Sequence, residues 1–496
     1  MYRWIHEVQT AHTPESLAET LGPGEGLVVL RSALLGSAQA RYSLVAFRPF
    51  LTLHAFGSRC ELHSASSPSH VQFGHPWRIL DGLLARYELL DEIDLPFPLG
   101  GCFGFWGYDL KNFVEPKLPR RAHNDLELPD CWVGFYDSLA VFDHRLGKTW
   151  IVSTGLQPDG SRDSDIARRQ MDFWESRLEE ESLRPGRHIS GYASRITRHA
   201  SSSASCSASQ VQSNRSPGEF IAAVEKAQRY IRSGDIYQVN LSQRLAASGA
   251  PHGWEMYRRL LAASPAPFSA YLDCGEFQIA SSSPELFLRL SGTHILTRPI
   301  KGTRPRSNDP ARDARLSDEL RASPKDQAEL VMITDLLRND LGRVCEYGSV
   351  QVPELARLER YPQVQHLVST VEGHLRPDVT HLAAFASCFP GGSITGAPKF
   401  RAMEIIDELE PLARGPYTGA LGYFGFNRES QLSILIRAAI CREPFAYFNV
   451  GAGIVADSVA SAEYEETLAK AAGFVAALSL KTPGAALPIE ARVKVA

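Results

Sequence analysis

The sequence predicts an α+β protein whose antiparallel or mixed sheets pack with helices. Candidate strands cluster in pairs and candidate helices stand in groups between them, unlike the regular strand–helix alternation of parallel sheets. The chain has 496 residues, of which 44% are hydrophobic and 22% charged, the balance of a globular protein with a large core. At about 100–200 residues per domain, this length predicts two to four domains or one large elaborated domain.

The N-terminal region, predicted over residues 1–183, contains short strands separated by Gly- and Pro-rich turns. Strands are predicted over 27–30 and 42–47, and the many glycines and aromatic residues of 95–110 indicate a strand in a crowded interior. A helix of mixed charge, predicted over 161–181, closes this region.

A Ser-, Arg- and Gly-rich segment over 184–215 has no apolar periodicity and is predicted to be a linker or a disordered loop. The second domain is predicted over 216–482, and a C-terminal tail over 483–496. The domain begins with a helix that has strong start signals. Ser216 can cap this helix, and Glu219 completes a capping box before an apolar stripe.

Apolar runs and turn residues predict the remaining elements of the second domain. Strands are predicted over 268–272, 278–281, 286–290, 294–297, 420–426, 432–441 and 446–451. Three further helices are predicted over 324–341, 398–409 and 462–478.

Composition and charge exclude several classes of protein. The 52 basic and 56 acidic residues give a net charge of −4, which offers no positive excess for a nucleic acid backbone. The first residues lack the basic start and apolar run of a signal peptide, and no apolar stretch approaches the ~20 residues needed to cross a bilayer. The eight cysteines are scattered without a CxxC pair, as in proteins of the reducing cytoplasm, where we expect this chain.

Charged residues at helical spacing make two helices candidate binding elements. Glu463, Glu466 and Lys470 share one face of the last helix, and Asp326 and Glu329 lie one turn apart near the start of an earlier helix. Two pairs of carboxylates on separate helices can hold a hard cation such as Mg²⁺ and leave positions for a substrate. Each face could equally be an ordinary solvated helix surface.

Lys301 follows a predicted strand, in a turn rich in Pro and Gly. A lysine held rigidly there can act as a nucleophile, or it can be an ordinary surface lysine. Residues 391–399 are similar to a phosphate-binding loop, but Ala397 and Pro398 interrupt its pattern, so only general anion binding by backbone N–H groups is predicted. Neither a G-x-S-x-G motif nor a comparable cysteine motif occurs, which argues against a Ser or Cys triad.

Four long motifs together resemble those of the chorismate-utilising enzymes, a family that includes anthranilate, isochorismate and salicylate synthases and component I of aminodeoxychorismate synthase. They are RPIKGTRPR (298–306), ELVMITDLLRNDLGRV (329–344), FPGGSITGAPKFRAMEIIDELEP (389–411) and GAGIVADSVASAEYEETLAKA (451–471). The resemblance is strong from about Ser216 to Leu480 and looser before it. Residues 299–303 read PIKGT, as in the branch that forms 4-amino-4-deoxychorismate, whereas other branches carry PIAGT.

The resemblance implies a fold in which two sheets pack face to face inside surrounding helices. It implies a Mg²⁺-dependent amination of chorismate at C4, which gives 4-amino-4-deoxychorismate for p-aminobenzoate and folate synthesis. Because the sequence has no glutaminase elements, ammonia is expected from a separate glutamine amidotransferase subunit. Two other functions stay open: that of an anthranilate synthase component I, and that of an inactive subunit that senses tryptophan.

The resemblance also implies roles for individual residues. Lys301 is the expected nucleophile, Glu285 the expected acid/base, and His366 the expected neighbour of the ring carboxylate. The expected metal ligands are helix carboxylates, namely Glu329 and Glu466 directly, with Glu463 and Asp326 behind them. The residues expected to contact the substrate or its Mg²⁺-bound end are Arg437, Lys470, Tyr423, Gly453, Ser393 and Thr395.

Several relatives in this family bind tryptophan, as a feedback inhibitor or as a buried structural ligand. Ser32, Pro267, Phe268 and Ser269 resemble the residues of that effector pocket. The same four residues could equally pack as ordinary core.

Overall fold

The structure, a computed structural model, describes residues 5–22, 24–33, 41–64, 67–90, 95–180, 211–361 and 364–479. These residues form two twelve-stranded sheets together with helices. No helix within the described ranges is long and apolar enough to cross a membrane. The predicted α+β fold, with two sheets packed face to face, is confirmed.

The strands are numbered in chain order. Those before residue 181 are β1 (Ile5–Val8), β2 (Val28–Arg31), β3 (Tyr42–Ala46), β4 (Leu51–Phe56), β5 (Arg59–Ser64), β6 (Ser67–Phe73), β7 (Gly101–Trp106), β8 (Cys131–Tyr136), β9 (Ser138–Asp143) and β10 (Lys148–Ser153). Those after residue 210 are β11 (Val211–Ser213), β12 (Gln238–Ser248), β13 (Phe268–Asp273), β14 (Gln278–Ser283), β15 (Leu286–Ser291), β16 (His294–Arg298), β17 (Ile300–Pro305), β18 (Gln351–Arg360), β19 (Val364–His374), β20 (Gly396–Ala397), β21 (Ala420–Gly425), β22 (Glu429–Ile434), β23 (Ala438–Arg442) and β24 (Phe445–Ile454).

The first sheet has the strand order β1-β10-β9-β3-β2-β13-β14-β23-β24-β12-β11, and β20 also pairs with β12. The second sheet has the order β17-β19-β16-β15-β22-β21-β7-β8-β4-β5-β6, and β18 also pairs with β19. Neighbouring strands in both sheets run antiparallel. Each sheet combines strands from before residue 181 with strands from after residue 210, so the two predicted regions share both sheets.

The helices are α1 (Pro14–Leu21), α2 (Pro76–Tyr87), α3 (Lys111–Val114), α4 (Ser164–Glu179), α5 (Pro217–Arg232), α6 (Gly253–Ala263), α7 (Pro310–Ala322), α8 (Pro324–Gly342), α9 (His381–Cys388), α10 (Lys399–Leu409) and α11 (Ala460–Ser479). Local signals account for their starts: α5 has the predicted capping box, in which the Ser216 hydroxyl accepts from the Glu219 N–H and the Glu219 carboxylate accepts from the Ser216 N–H. In α8, Ser323 caps the helix and Pro324 occupies its first turn.

Three buried clusters hold these layers together. Aromatic side chains such as Phe103 and Trp132 of the second sheet pack between the sheets against Val141 and Ile279 of the first. The opposite face of the first sheet packs on α1, α4, α6 and α11. The opposite face of the second sheet packs on α2, α8 and α9, so α8 and α11 belong to different layers.

Three local predictions are corrected by the structure. The strand predicted over 432–441 is two strands, β22 and β23, because the chain turns between them and Arg437 adopts φ +52°. Lys301 lies in strand β17 and not in a turn. The predicted linker 184–215 ends in strand β11, which pairs with β12, while its part up to residue 210 and the tail 483–496 lie outside the described residues.

Candidate active site

Lys301 lies at one end of the second sheet, on β17, where the strand pairs with β19. The ladder is irregular between Lys301 and Thr303, and the intervening Gly302 has φ +67°. A Cβ at Gly302 would lie 2.7 Å from Leu320 Cδ1 and 3.0 Å from Asp326 Cγ, so only glycine lets the strand come this close to α7 and α8. The Lys301 side chain is consequently held inward and only 16% exposed.

Two carboxylates from different helices lie beside the Lys301 amine. Glu329 of α8 places Oε2 at 4.0 Å from Lys301 Nζ. Burial raises the pKa of Glu329, and the charge of Glu466, on α11, raises this pKa further. Burial also acts to raise the pKa of Glu466, but the Lys470 ammonium at 2.7 Å, together with Lys325 and Lys301, holds this pKa below its ordinary value. Two carboxylates that repel each other in this way suit a hard divalent cation between them.

The other two predicted metal ligands are engaged with protein groups. Glu463 is buried, and its Oε1 accepts a 2.7 Å hydrogen bond from the Ser458 hydroxyl near the start of α11. Asp326 accepts a 3.2 Å hydrogen bond from Arg304 Nη2 at the start of α8. Both carboxylates therefore help to fix the helices that carry the facing pair of glutamates.

Glu285, just before β15, is the buried carboxyl group of the site, with 7% of the residue exposed. It shares a hydrogen bond with the Ser393 hydroxyl, which lies in the short 3₁₀ helix Gly392–Ile394, and it feels the charge of Lys301. Burial outweighs both of these contacts and raises the pKa of Glu285. A carboxyl group with a raised pKa beside an amine is suited to donate a proton.

His366 of β19 is a neutral, oriented hydrogen-bonding group. Its Nδ1 lies 2.9 Å from Thr303 Oγ1 and 3.2 Å from the Gly302 carbonyl oxygen. Because a carbonyl only accepts, Nδ1–H is the donor in this bond and Nε2 remains an acceptor. Burial, with a smaller contribution from the nearby Arg437 guanidinium, lowers the pKa of His366 to about 4. The ring is therefore uncharged at neutral pH.

Two glycines of β24 lie beside the amines of the site, Gly453 opposite Lys301 and Gly451 beside Lys470. A Cβ on Gly453 would lie 3.9 Å from Lys301 Nζ and 2.9 Å from Gln238 Nε2. The carbonyl of Gly451 accepts a 2.8 Å hydrogen bond from Lys470 Nζ. A Cβ at either position would come within 3.0 Å of side chains on β12, so both positions require glycine for the close approach of the two strands.

Three polar residues that the sequence analysis missed surround these glycines. Gln238 and Asn240 lie on β12, and both amide atoms of Gln238 and the Oδ1 of Asn240 are buried without a hydrogen-bond partner in the described part of the chain. A Cβ on Gly451 would lie 2.8 Å from Asn240 Oδ1 and 2.9 Å from Tyr417 Oη. A signal for two of them was available, since the alternation of polar and apolar residues in QVNLS places Gln238 and Asn240 on one face of a strand.

One predicted substrate contact, Tyr423, lies elsewhere, and a second, Thr395, is engaged with the protein. Tyr423 belongs to the core between the sheets, where it stacks on Phe103 with ring centroids 5.3 Å apart and lines a cavity with Tyr42. The prediction for Tyr423 is thus corrected, and Tyr417 is the tyrosine beside the site glycines. Thr395 is fully buried, and its hydroxyl donates to a backbone carbonyl of its own loop at 2.9 Å, so it stabilises the loop that carries the Glu285 partner.

The four residues of the predicted effector pocket lie together, away from Lys301. Ser32, Pro267, Phe268 and Ser269 line a narrow cavity beside β2 and β13, and this cavity shares Leu30 with a neighbouring one of about 200 Å³. The two serine hydroxyls already donate to backbone carbonyls, at 2.7 and 3.1 Å. The arrangement is compatible with a small ligand and with ordinary packing, so tryptophan binding stays a prediction.

The sequence is similar to those of known proteins. The sequence matches the family described as chorismate binding enzyme over residues 32–476. It is 43% identical over 433 residues to aminodeoxychorismate synthase component 1 of Salmonella typhimurium, covering 87% of this chain and 88% of the relative. It is 36% identical over 477 residues to anthranilate synthase component 1 of Acetivibrio thermocellus, covering 94% and 92%.

A solved structure shows the same architecture. The crystal structure of anthranilate synthase component I from Streptococcus pneumoniae matches with a TM-score of 0.73 and 28% identity, covering 88% of this chain and 93% of that chain. The sequence match includes β17, α8 and β24 and nearly all of α11, which carry the amine, the carboxylates and the glycines described above. The chain therefore belongs to the chorismate binding enzyme family.

Proposed function

We propose that this chorismate-utilising enzyme aminates chorismate at C4 to give 4-amino-4-deoxychorismate, with Lys301 as a covalent nucleophile. The observation that supports this most directly is the position of the Lys301 amine. It lies 4.0 Å from Glu329, faces Gly453 and is within electrostatic reach of the buried Glu285. An amine placed among carboxyl groups, opposite a strand position without a side chain, is placed to react.

The positive groups of the site suit a substrate with two carboxylates. Arg437, whose charge acts on His366, supplies a guanidinium. Lys470 supplies an ammonium, and Tyr417 supplies a buried hydroxyl beside Gly451. A guanidinium binds a carboxylate through two hydrogen bonds, which fixes the orientation of the substrate as well as its position. Neutral His366 can accept a hydrogen bond without adding charge.

Glu329 and Glu466 would hold Mg²⁺, which, when bound, would neutralise the ring carboxylate and withdraw electrons from the ring. The feature that supports a dication is this pair of carboxylates on two different helices; burial raises the pKa of Glu329, and the Glu466 charge adds a smaller increase. Lys470, paired with Glu466 at 2.7 Å, keeps that carboxylate ionised and ready to bind.

The reaction divides into two displacements. In the first, the Lys301 amine adds to C2, the double bonds move to C1–C6 and C4–C5, and the C4 hydroxyl leaves as water with a proton from Glu285. In the second, ammonia adds to C4, the double bonds return to C1–C2 and C5–C6, and the Lys301 amine is released. The sum is chorismate plus ammonia giving the aminated product and water.

The neutral amides of Gln238 and Asn240 support ammonia as the second nucleophile. Their buried oxygen atoms have no donor in the described part of the chain, so they can accept N–H bonds from ammonia beside Gly451 and Gly453. We propose that a glutamine amidotransferase subunit delivers this ammonia. We also propose a cytoplasmic location, because the seven described cysteines are all free and buried.

A second candidate function is anthranilate synthesis, because relatives named for both activities have similar identities, 43% and 36%. The presence of Lys301 argues against it, since an amine fixed beside C2 would compete with ammonia at that carbon. An inactive tryptophan-sensing subunit is a weaker alternative, because the charged groups of a working site are present.

A single assay distinguishes these functions. The purified chain is incubated with chorismate, Mg²⁺ and an ammonium salt, a lyase for the aminated product is added, and products are separated chromatographically against p-aminobenzoate and anthranilate standards. The proposal requires p-aminobenzoate that depends on the lyase. Anthranilate as the sole product would refute it, and no turnover with or without an amidotransferase would favour the inactive subunit.

A further inference from the structure

A second cluster of metal-ligating side chains lies far from Lys301. His54 on β4 pairs directly with Glu61 on β5, and His63 follows two residues later, so all three side chains lie on one face of the hairpin. One ligand atom from each residue lies within 4.8 Å of the other two. The hairpin is near the opposite end of the second sheet from β17, so the cluster is separate from the site described above.

Each side chain is oriented by a contact that leaves its ligand atom free. The Nδ1 of His63 is 2.8 Å from the Ser69 hydroxyl, and the Oε1 of Glu61 pairs with the Arg59 guanidinium. The His54 ring stacks on Trp132, with centroids 5.8 Å apart. The Nε2 atoms of both histidines are buried and have no hydrogen-bond partner within the described ranges. Such outer contacts are the ones that fix ligands around a metal.

We propose that His54, Glu61 and His63 bind a divalent transition-metal ion of the zinc class. The Glu61 Oε2 already lies 3.5 Å from His63 Nε2. Atoms within 4.8 Å of one another have a centre no more than about 2.8 Å from each, so shifts of less than about 1 Å give the 2.0–2.2 Å bonds of zinc sites. Two imidazoles and one carboxylate select such an ion over Mg²⁺, which prefers oxygen ligands.

The ion would link β4 to β5. The three side chains supply three of the four ligands of a tetrahedral ion, and one water would complete the coordination. On its other side β5 pairs with β6, the last strand of the sheet order, so the linked pair lies one strand in from this edge within the described residues. The ion therefore acts as a structural link near a sheet edge and takes no part in the reaction at Lys301.

The chain contains a matched control for this proposal. His294 on β16 lies beside Glu372 and His374 on β19, with His294 Nε2 at 3.3 Å from Glu372 Oε2 and the two histidine rings 5.7 Å apart. The residue types are the same and the strands also pair. Among the described residues, however, only the cluster on β4 and β5 brings three such atoms within 4.8 Å.

The test is a metal titration of the full chain, stripped with a chelator and kept in excess Mg²⁺ so that the carboxylates near Lys301 are occupied. We expect Zn²⁺ to bind by calorimetry with one equivalent and a Kd of about 1 µM or tighter. Co²⁺ should give the visible absorption of a low-coordinate site. The His54→Gln and His63→Gln variants should each weaken Zn²⁺ binding about 100-fold or more, while His294→Gln leaves it unchanged.

Two results would overturn the proposal: equal Zn²⁺ affinity in wild type and both hairpin variants, or loss of binding in His294→Gln alone. Circular dichroism confirms that each variant is folded, and the Co²⁺ spectrum reports the ligands independently of stability. Because amination is measured with Mg²⁺ alone, failure of this site and failure of the proposed activity are separate outcomes.

Discussion

Replacing Glu285 with glutamine removes the proton that the proposed first displacement requires and keeps the size of the side chain. Glu285 is 7% exposed, and its polar neighbours include the Ser393 hydroxyl and the Lys301 amine. Burial raises the pKa of Glu285, so the protonated acid persists to higher pH than in an exposed glutamate, and water has little access to replace it. The amide can still accept the Ser393 hydrogen bond, so the perturbation is confined to proton transfer.

The size of the effect follows from this role. A positioned general acid contributes about 10²–10⁴-fold to a rate, so we expect kcat of Glu285→Gln to fall by that factor, with KM little changed. At 1.36 kcal/mol per tenfold, the loss is about 3–5 kcal/mol of transition-state stabilisation. In the wild type, kcat should decline as pH rises through the pKa of Glu285, because only the protonated form donates. The residual rate of the variant should lack that decline.

Steady-state product formation across a pH series measures both effects. Asp137→Asn is the matched control, since Asp137 is also buried and burial raises its pKa to about 7, but it lies between β8 and β9, outside the site. The control should keep the wild-type kcat. If Glu285→Gln also kept the wild-type kcat and the same alkaline decline, Glu285 would not be the acid.

Three further predictions concern the metal, the substrate and stability. Glu466→Gln should raise the Mg²⁺ concentration for half-maximal rate about tenfold or more, and an unchanged Mg²⁺ response would exclude Glu466 as a ligand. Tyr417→Phe should raise KM at least about tenfold, because a hydrogen bond to a charged group is worth about 1.5–3 kcal/mol. Tyr423→Phe should leave KM unchanged, and a larger effect of Tyr423→Phe than of Tyr417→Phe would contradict the placement of Tyr417 in the site. Burial raises the pKa of Asp137 from 3.8 to about 7, so the folded state of the wild type loses stability relative to the unfolded state as pH rises between those values. Urea unfolding should therefore show that Asp137→Asn stabilises the fold by up to about 4 kcal/mol more at pH 8 than at pH 4. The same stabilisation at both pH values would contradict this prediction.

The fold was predictable where signals are local or motifs are long. The capping residues Ser216 and Glu219 predicted the start of α5. The long motifs, through the family they resemble, predicted the two facing sheets. The break at Arg437 was not predictable from an apolar run, because a positive φ leaves no trace in hydrophobic periodicity. Pro299 and Gly302 beside Lys301 predicted a turn. The chain instead continues as strand β17, because its pairing with β19 tolerates a register shift between Lys301 and Thr303.

The site was predictable residue by residue only where a motif contained it. Gln238 and Asn240 approach the site through the pairing of β12 with β24, and partners about 200 residues apart cannot be inferred from spacing along one strand. The choice between Tyr417 and Tyr423 shows the same limit. Tyr423 belongs to a regular strand whose alternation turns it into the core between the sheets, while Tyr417 precedes that strand.

Intact-mass spectrometry after mixing with chorismate and Mg²⁺, without ammonia, tests the central claim most directly. Wild type should show a transient adduct of chorismate less one water, and Lys301→Ala should show none. Lys325→Ala is the matched control, since Lys325 also lies near Glu329, at 3.9 Å, but is 54% exposed, and it should keep the adduct. Equal adducts on wild type and Lys301→Ala would contradict the assignment of Lys301 as the nucleophile.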